Sequence, residues 1–470
     1  MTTTESLVRG RVRSLCRALS PLLGDDPDLT RTRASLAEPL RLAVVGRVST
    51  GKSTLVNALV GRRVAPTSAG ECTKVVTWYR YGEPDQARLV LHDGRSLRVR
   101  LVDRALPDEL GVPASEVARL EVWLTSRALR HLTLIDTPGL GTTNEDQETA
   151  TRAAILGVER ESQIAAGQAD ALLFLIGEAA RRSDLDFLDD FRASSGSLTP
   201  SSVNAVGVLA KSDGTGSGVL DETDPFKLAG DQAARLASTH RGVLSDVLPV
   251  SGLLAETALT GVITETLAAA LGAQVDQDPA LLAVSQDPEL EPLAAAFGPY
   301  GLVAGRDVAA AGASKLREWC LETSGIRLLE EVVHGRLVPR SDLLKASRGL
   351  STLESVSRRL PTELREDALA LLEEARLDPT LHAIGELQAM ERLLAERPDS
   401  PLLPALAGFV DGAEDAVLLV GGAEVGSPAE QARGLSAEAT RSAALATSAA
   451  EVAAGRVLAR SYQLLARRLP

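Results

Sequence analysis

Gly46-Arg47-Val48-Ser49-Thr50-Gly51-Lys52-Ser53 reads G-x-x-x-x-G-K-S, the phosphate-binding loop pattern. Leu42-Ala43-Val44-Val45 precedes it, a short apolar run of the kind a buried strand uses. Thr54-Leu55-Val56-Asn57-Ala58-Leu59-Val60 follows with a helical pattern. Strand, loop and helix in that order are the context the motif needs. The glycines let backbone N–H groups turn inward around β- and γ-phosphates, and the helix N-terminus adds partial positive charge. Gly46, Ser49, Thr50, Gly51, Lys52, Ser53 and Thr54 are therefore candidate nucleotide-binding residues. Lys52 is placed to reach phosphate oxygens, and the Ser53 hydroxyl to hold Mg²⁺. With six Lys against 44 Arg in the chain, a chance Lys at this position is rare.

Three further signals concern which nucleotide. Asp136-Thr137-Pro138-Gly139 ends the apolar run Leu132–Ile135. Its D-x-x-G pattern puts Asp136 where a carboxylate reaches Mg²⁺ through water, and Gly139 where a backbone N–H meets the γ-phosphate. Ala210-Lys211-Ser212-Asp213 follows the next strand pattern. Asp213 can accept from both N1–H and N2–H₂ of guanine while the Lys211 stem covers the ring; adenine leaves those bonds unmade. Ala210 stands where such loops usually carry Asn or Thr, which removes one bracing hydrogen bond. Ser251-Gly252 follows Val247–Val250 and offers a loop backbone to the guanine O6. A Mg²⁺-capping, γ-phosphate-sensing Thr is expected between Ala65 and Val75; Thr73 is the first choice and Thr67 the second. The metal ligands are thus expected to be Ser53, Thr73 and Asp136, and the catalytic residues Lys52 and Thr73.

Working outward, residues 41–252 alternate strand and helix patterns. Continuous apolar runs such as Ala171–Ile176 and Ala205–Ala210 suit parallel strands covered on both faces. Helical patterns at 144–169 and 184–195 separate them. From about 253 the strand signals stop and Ala/Leu-rich helical patterns run to Leu469, the longest over Ser341–Leu377 with a break expected at Pro361. Pro398, Pro401, Pro404 and the stretch 421–428 read as loops. The expected class is an α/β P-loop GTPase domain, with a mostly parallel sheet and helices on both faces, followed by an all-α helical bundle or stalk. The expected division is an N-terminal helix over 1–35 packing with the bundle, the GTPase domain over 36–255, and a helical neck and trunk over 256–470.

The 470 residues carry a net charge of −13, which argues against a nucleic-acid surface. Only 3% are aromatic, so the cores rest on Leu, Ala and Val. Cys16, Cys72 and Cys320 are far apart, with no zinc spacing and no disulfide framework, as in a reducing cytosol. No signal-peptide pattern and no apolar run of about 18 residues stands in the chain. The expected location is the cytoplasm, with peripheral association at the inner face of the cell membrane. Candidate lipid contacts are the Arg9, Arg13 and Arg17 stripe of helix 5–23, the turn Pro401–Pro404 and the run Ala416–Val420; packed core or a solvated face is the commoner use of each.

Together these motifs resemble the dynamin superfamily of large GTPases. Lys52 and Asp136 lie 84 positions apart, a spacing suited to the expanded dynamin-like head. Within the superfamily the chain is most similar to the isoniazid-inducible dynamin-like proteins of actinobacteria. The resemblance runs through Leu36–Ala43, Leu55–Gly61, Cys72–Trp78, Val250–Ala255 and Arg340–Ala346. It implies a head hinged to helical neck and trunk segments, self-association of heads, pairing with another dynamin-like protein, and membrane remodelling. It also implies that Ser49 helps place a monovalent cation, K⁺ or Na⁺, and that Val48 stands where classical dynamins carry a water-orienting Gln. Two rival readings are a slow GTP-dependent switch that regulates a partner, and a P-loop ATPase scaffold.

Overall fold

The computed structural model describes residues 3–66, 74–102, 104–107, 109–139, 168–177, 203–216, 223–412 and 427–469. Thr67, Cys72 and Thr73, most of the helical patterns at 144–169 and 184–195, and the run 416–420 lie outside the described residues.

Among the described residues nine strands form one sheet: β1 (Leu40–Gly46), β2 (Thr77–Tyr81), β3 (Gln86–Leu91), β4 (Ser96–Val99), β5 (Val117–Leu124), β6 (Leu132–Asp136), β7 (Ala171–Ile176), β8 (Ala205–Ala210) and β9 (Val247–Val250). Their order is β4-β3-β5-β2-β6-β1-β7-β8-β9. The stretch from β6 to β9 is parallel throughout. Antiparallel pairing is confined to β2–β6, β3–β4 and β3–β5. The period-2 rule for strands shows directly in the packing. Leu40, Leu42 and Val44 of β1 and Leu173 and Leu175 of β7 enter one apolar core. Ala43 and Val45, and Leu172, Phe174 and Ile176, enter the core on the opposite face.

Helices cover both faces. α1 (Thr3–Leu23), α2 (Pro27–Ser35) and α3 (Lys52–Val60) are followed by α4 (Pro225–Thr239) and α5 (Gly252–Leu259). The side chains of α3 fill one core and those of α4 the other. Asp-Pro pairs start two of these helices: the Asp26 and Asp224 side chains accept from first-turn amides, and Pro27 and Pro225 sit where no helical N–H is required.

Beyond α5 the described residues hold no strand. α6 (Glu265–Gly272), α7 (Pro279–Ala283), α8 (Glu291–Ala304), α9 (Arg306–Ala309) and α10 (Ala313–Thr323) build an apolar cluster around Leu254 and Ala258 of α5. α11 (Ile326–Val332) sends Ile326 and Leu329 into the sheet core, followed by Val333 and Leu337. The trunk begins with α12 (Val338–Arg358) and continues through α13 (Thr362–Leu377), α14 (His382–Glu396), α15 (Leu403–Val410), α16 (Pro428–Leu445) and α17 (Ala449–Ala466). The core of α1 and α2 is shared with these helices.

Apolar packing thus places α6 to α10 against α5 and α11 in the sheet core, while the helices from α12 onward share a core with α1 and α2. The long pattern breaks at Pro361, as its missing N–H requires. Pro404, read as a loop residue, opens α15 in its first turn.

The arginine stripe of α1 is largely spent inside the molecule. Arg9 pairs with Asp342 of α12, and Arg13 donates to the Leu36 carbonyl at 2.9 Å. Leu402 and Leu403 pack on the trunk core. Cys16 and Cys320 are buried free thiols. Among the described residues no helix is long and apolar enough to cross a membrane.

Candidate nucleotide-binding site

The chain leaves β1 in one direction towards β2 and later passes to β7 on its other side, so the connections diverge at β1. Open α/β sheets bind ligands at such a point, beyond the C-terminal strand ends. The candidate residues converge there. Gly46 ends β1 and packs so closely on β7 that an added Cβ meets the Leu175 carbonyl oxygen at 2.9 Å. Ser49 and Gly51 take left-handed backbone (φ 64° and 89°), which curls the loop before α3 begins at Lys52. The Thr50 hydroxyl donates to the Arg47 carbonyl at 2.8 Å and holds the curl.

Lys52 is buried, and its Nζ donates to the carbonyls of Gly46 (2.9 Å) and Arg47 (2.7 Å). Burial lowers its pKa to about 8, against the opposing charge of Asp136. Ser53 Oγ donates to Asp136 Oδ2 at 3.3 Å across the gap between α3 and β6. Burial raises Asp136 to about 6, with Lys52 and Ser53 opposing. Its other oxygen, Oδ1, is buried without a hydrogen-bond partner among the described residues. A hydroxyl beside an unsatisfied carboxylate oxygen is a hard-oxygen donor set, and it fits Mg²⁺. The Thr137 hydroxyl bonds the Val44 carbonyl at 2.8 Å and fixes the end of β6 against β1. Gly139 then meets the phosphate loop: an added Cβ lies 2.7 Å from Val48 Cγ2 and 3.1 Å from Lys52 Nζ.

A cleft of about 410 Å³ leads away from Thr50, Gly51 and Thr54 towards Lys211 and Asp213. Lys211 is held in left-handed backbone (φ 57°). The bracing that Ala210 does not supply comes from Ser212, which is fully buried and donates to the Leu209 carbonyl at 2.8 Å. Ser251 departs from expectation. Its N–H is taken by the Ser324 carbonyl (2.9 Å) and its hydroxyl accepts from Leu254 N (3.3 Å), so it caps α5 rather than facing the cleft. Gly252 lines the cleft instead. Thr73 lies outside the described residues.

Sequence reading missed two groups. Leu253 and Pro299 line the far end of the cleft. Asn57 is a buried hub on α3. Its Oδ1 accepts from Val64 N (2.9 Å) and Ala65 N (2.8 Å), and its Nδ2 donates to the Ala65 carbonyl (3.0 Å) and Glu256 Oε1 (2.8 Å). A polar residue inside the apolar pattern Leu55–Val60 was the available signal for Asn57; Pro299 gave none.

The dynamin family model matches residues 42–189. The isoniazid-induced protein IniC of Mycobacterium tuberculosis is 32% identical over 392 residues, covering 78% of this chain and 76% of that one. The chain belongs to the dynamin family. Dynamin-like protein 2 of Campylobacter jejuni is 27% identical over 146 residues, covering 30% of this chain and 24% of its own. A solved structure described as an oligomerised bacterial dynamin pair for long-range sensing and tethering of membranes aligns with TM-score 0.34 and 15% identity. That alignment covers 82% of this chain and 51% of the other, so this chain spans about half the length of the solved one. The mostly parallel head and the helical region after it are the architecture of a dynamin-family GTPase.

Proposed function

We propose that this dynamin-family protein binds GTP with Mg²⁺ and hydrolyses it, using the hydrolytic cycle to drive motion between head and trunk. The observation that carries the reading is the gathering of Lys52, Ser53 and Asp136 next to Thr50, Gly51 and Thr54, which line one cleft together with Lys211 and Asp213. Ser53 and Asp136 hold the metal, directly or through water. Mg²⁺ there offsets charge on the phosphate oxygens. The P-loop amides and Lys52 bind the β- and γ-phosphates, while Gly139 offers its N–H at the γ-position. Asp213 accepts from guanine N1–H and N2–H₂. Thr73 positions the attacking water, and Ser49 helps seat a monovalent cation. Catalysis of this type is mostly positioning and electrostatics. Calorimetry with Mg²⁺ tests the reading: GTP and GDP bind and ATP does not compete. Equal competition by ATP overturns the guanine assignment, and no heat from either nucleotide overturns the site.

Self-association through the heads, pairing with another dynamin-like protein and tethering of membranes extend the same proposal. Specific activity then rises with protein concentration, and anionic liposomes carry the protein upward in a flotation gradient. A flat specific activity across a wide dilution series removes the pairing step.

A slower mode has one observation in its favour. Val48 stands beside Gly139, is 59% exposed, and brings no hydrogen-bonding group to the water-orienting position. In that mode the head is a timed switch that reports to a partner. Single-turnover hydrolysis slower than minutes, accelerated in Val48→Gln, supports it; fast turnover in the parent protein dismisses it.

A further inference from the structure

α8 belongs to the helices outside the sheet, yet it reaches the cleft. Its backbone leaves helical geometry at Gly298 (φ 64°, ψ 178°), and the next residue, Pro299, lines the far end of the cleft beside Leu253. The dipeptide explains the break: proline disfavours helical backbone in the residue before it, and glycine accepts positive φ without a side-chain clash. The break is held from both sides. Thr257 of α5 donates to the Ala296 carbonyl at 2.5 Å. The Tyr300 ring meets Phe226 of α4 edge-on at 5.3 Å and stacks on Trp319 of α10 at 6.3 Å. Gly298 is also tight against the cleft: an added Cβ lies 3.2 Å from Leu253 Cδ2 and 3.8 Å from Asp213 Oδ2.

We propose that the Gly298–Pro299 break is the wall of the purine end of this site, with Pro299 a specificity-determining contact for the base and Gly298 a positioning residue. The inference rests on the reading of the cleft as a GTP site. An apolar wall beside Asp213 keeps water from its carboxylate, and hydrogen bonds to N1–H and N2–H₂ strengthen in that drier setting. A base that lacks one of those donors leaves part of the carboxylate unpaired there, and so is rejected more strongly. The wall stands with Asp213 along the cleft, which Lys52 and Ser53 do not line. It therefore acts equally on GTP and GDP and leaves the chemical step untouched.

The test uses the full chain with Mg²⁺ and measures Kd for GTP, GDP and inosine triphosphate, which lacks the 2-amino group, together with single-turnover hydrolysis at saturating GTP. In Pro299→Ala, Kd for GTP and GDP rises in parallel by about five- to tenfold, a loss set by exposing one apolar contact. The preference for GTP over inosine triphosphate shrinks at least about twofold by the same reasoning. The saturated rate stays within about twofold of the parent, since the phosphate contacts are intact. Unchanged Kd values, a loss confined to GTP, or an unaltered preference over inosine triphosphate each overturns the proposal. If Pro299→Ala loses cooperative thermal unfolding, Leu253→Ala opens the same wall from α5 and is held to the same outcomes. A parent protein that binds neither GTP nor GDP removes the underlying GTP reading; a parent that binds both, with an indifferent Pro299→Ala, removes only the wall.

Discussion

Asp136 and Lys52 carry opposite charges into a site that disfavours both. Burial lifts Asp136 from its ordinary 3.8 to about 6, and lowers Lys52 from 10.5 to about 8. A raised carboxyl contributes stability that is present below pH 3.8 and lost as pH rises through about 6, so at neutral pH the ionised Asp136 is a cost to the fold. A lowered ammonium contributes stability above 10.5 that is lost as pH falls through about 8. Mg²⁺ and phosphate answer both costs. Affinity for Mg²⁺–GTP, read by calorimetry, should therefore fall below about pH 6, where Asp136 takes up a proton, and above about pH 8, where Lys52 loses its charge. Asp136→Asn should melt higher than the parent at pH 7.5 without ligand while losing the thermal shift that Mg²⁺–GTP gives. A lower melting point in Asp136→Asn contradicts this account. Lys52→Ala should weaken GTP by about 100-fold, the scale of a lost charge-assisted contact, by calorimetry. Gly46, Ser49 and Gly51 needed no structure to be found, since the spacing of one loop fixes their backbone. Ser251 did need it, because its N–H is claimed by Ser324, 73 residues on.

At the scale of elements, α3, the helix that follows the P-loop, is tied down by one amide. Asn57 satisfies two backbone N–H groups, one carbonyl and the Glu256 carboxylate, so it joins α3 to α5 and to the turn that leads into residues 67–73. Burial pushes the Glu256 carboxyl up, with Asn57 and Arg63 opposing. Asn57→Ala leaves several buried polar groups unpaired and should cost about 2–4 kcal/mol in urea unfolding. Asn57→Asp keeps the acceptor but meets Glu256 as a like charge, so it should recover little at pH 8 and more at pH 5. Equal stability of Asn57→Asp at both values contradicts the direct Asn57–Glu256 contact. The strands were legible from their runs: Ala171–Ile176, Ala205–Ala210 and Val247–Val250 form as the apolar pattern dictates. α6 to α10 were legible as helices but not as companions of the head, because an Ala/Leu face suits any apolar neighbour.

Across the whole molecule, head and trunk meet at the N-terminal ends of the strands, opposite the candidate nucleotide-binding site. α12 runs beneath the N-terminal ends of the strands. Its Lys345 donates to Asp170, just before β7, at 2.5 Å, and the same carboxylate oxygen accepts the Arg41 amide at 2.8 Å. Arg340 bonds the Val203 carbonyl before β8 at 2.9 Å, and Arg336, just ahead of α12, pairs with Asp246 before β9 at 2.5 Å. Burial pushes Asp170 up, but Lys345, Arg348 and Arg41 together pull it below the usual carboxylate range. That lowered pKa contributes stability above the ordinary carboxylate value, lost as pH falls through the folded one. Asp170→Asn strands Lys345 and should cost about 3–5 kcal/mol, whereas Asp170→Asn with Lys345→Met should recover much of it. No recovery in the double variant contradicts a direct pair. The parallel strands β1, β6, β7 and β8, five to seven residues each, are struts about 20 Å long between this joint and the P-loop end of the sheet. By itself the sequence determined the local things: the P-loop, the strand runs, the helix starts and the class. Those follow from neighbours along the chain, where spacing alone sets backbone shape and amphipathic face. Tertiary structure decided what joins Asn57 to Glu256, Lys345 to Asp170 and Pro299 to the cleft wall beside Leu253. Such partners lie many tens of residues apart, and only burial in a shared core selects one buried polar partner over another.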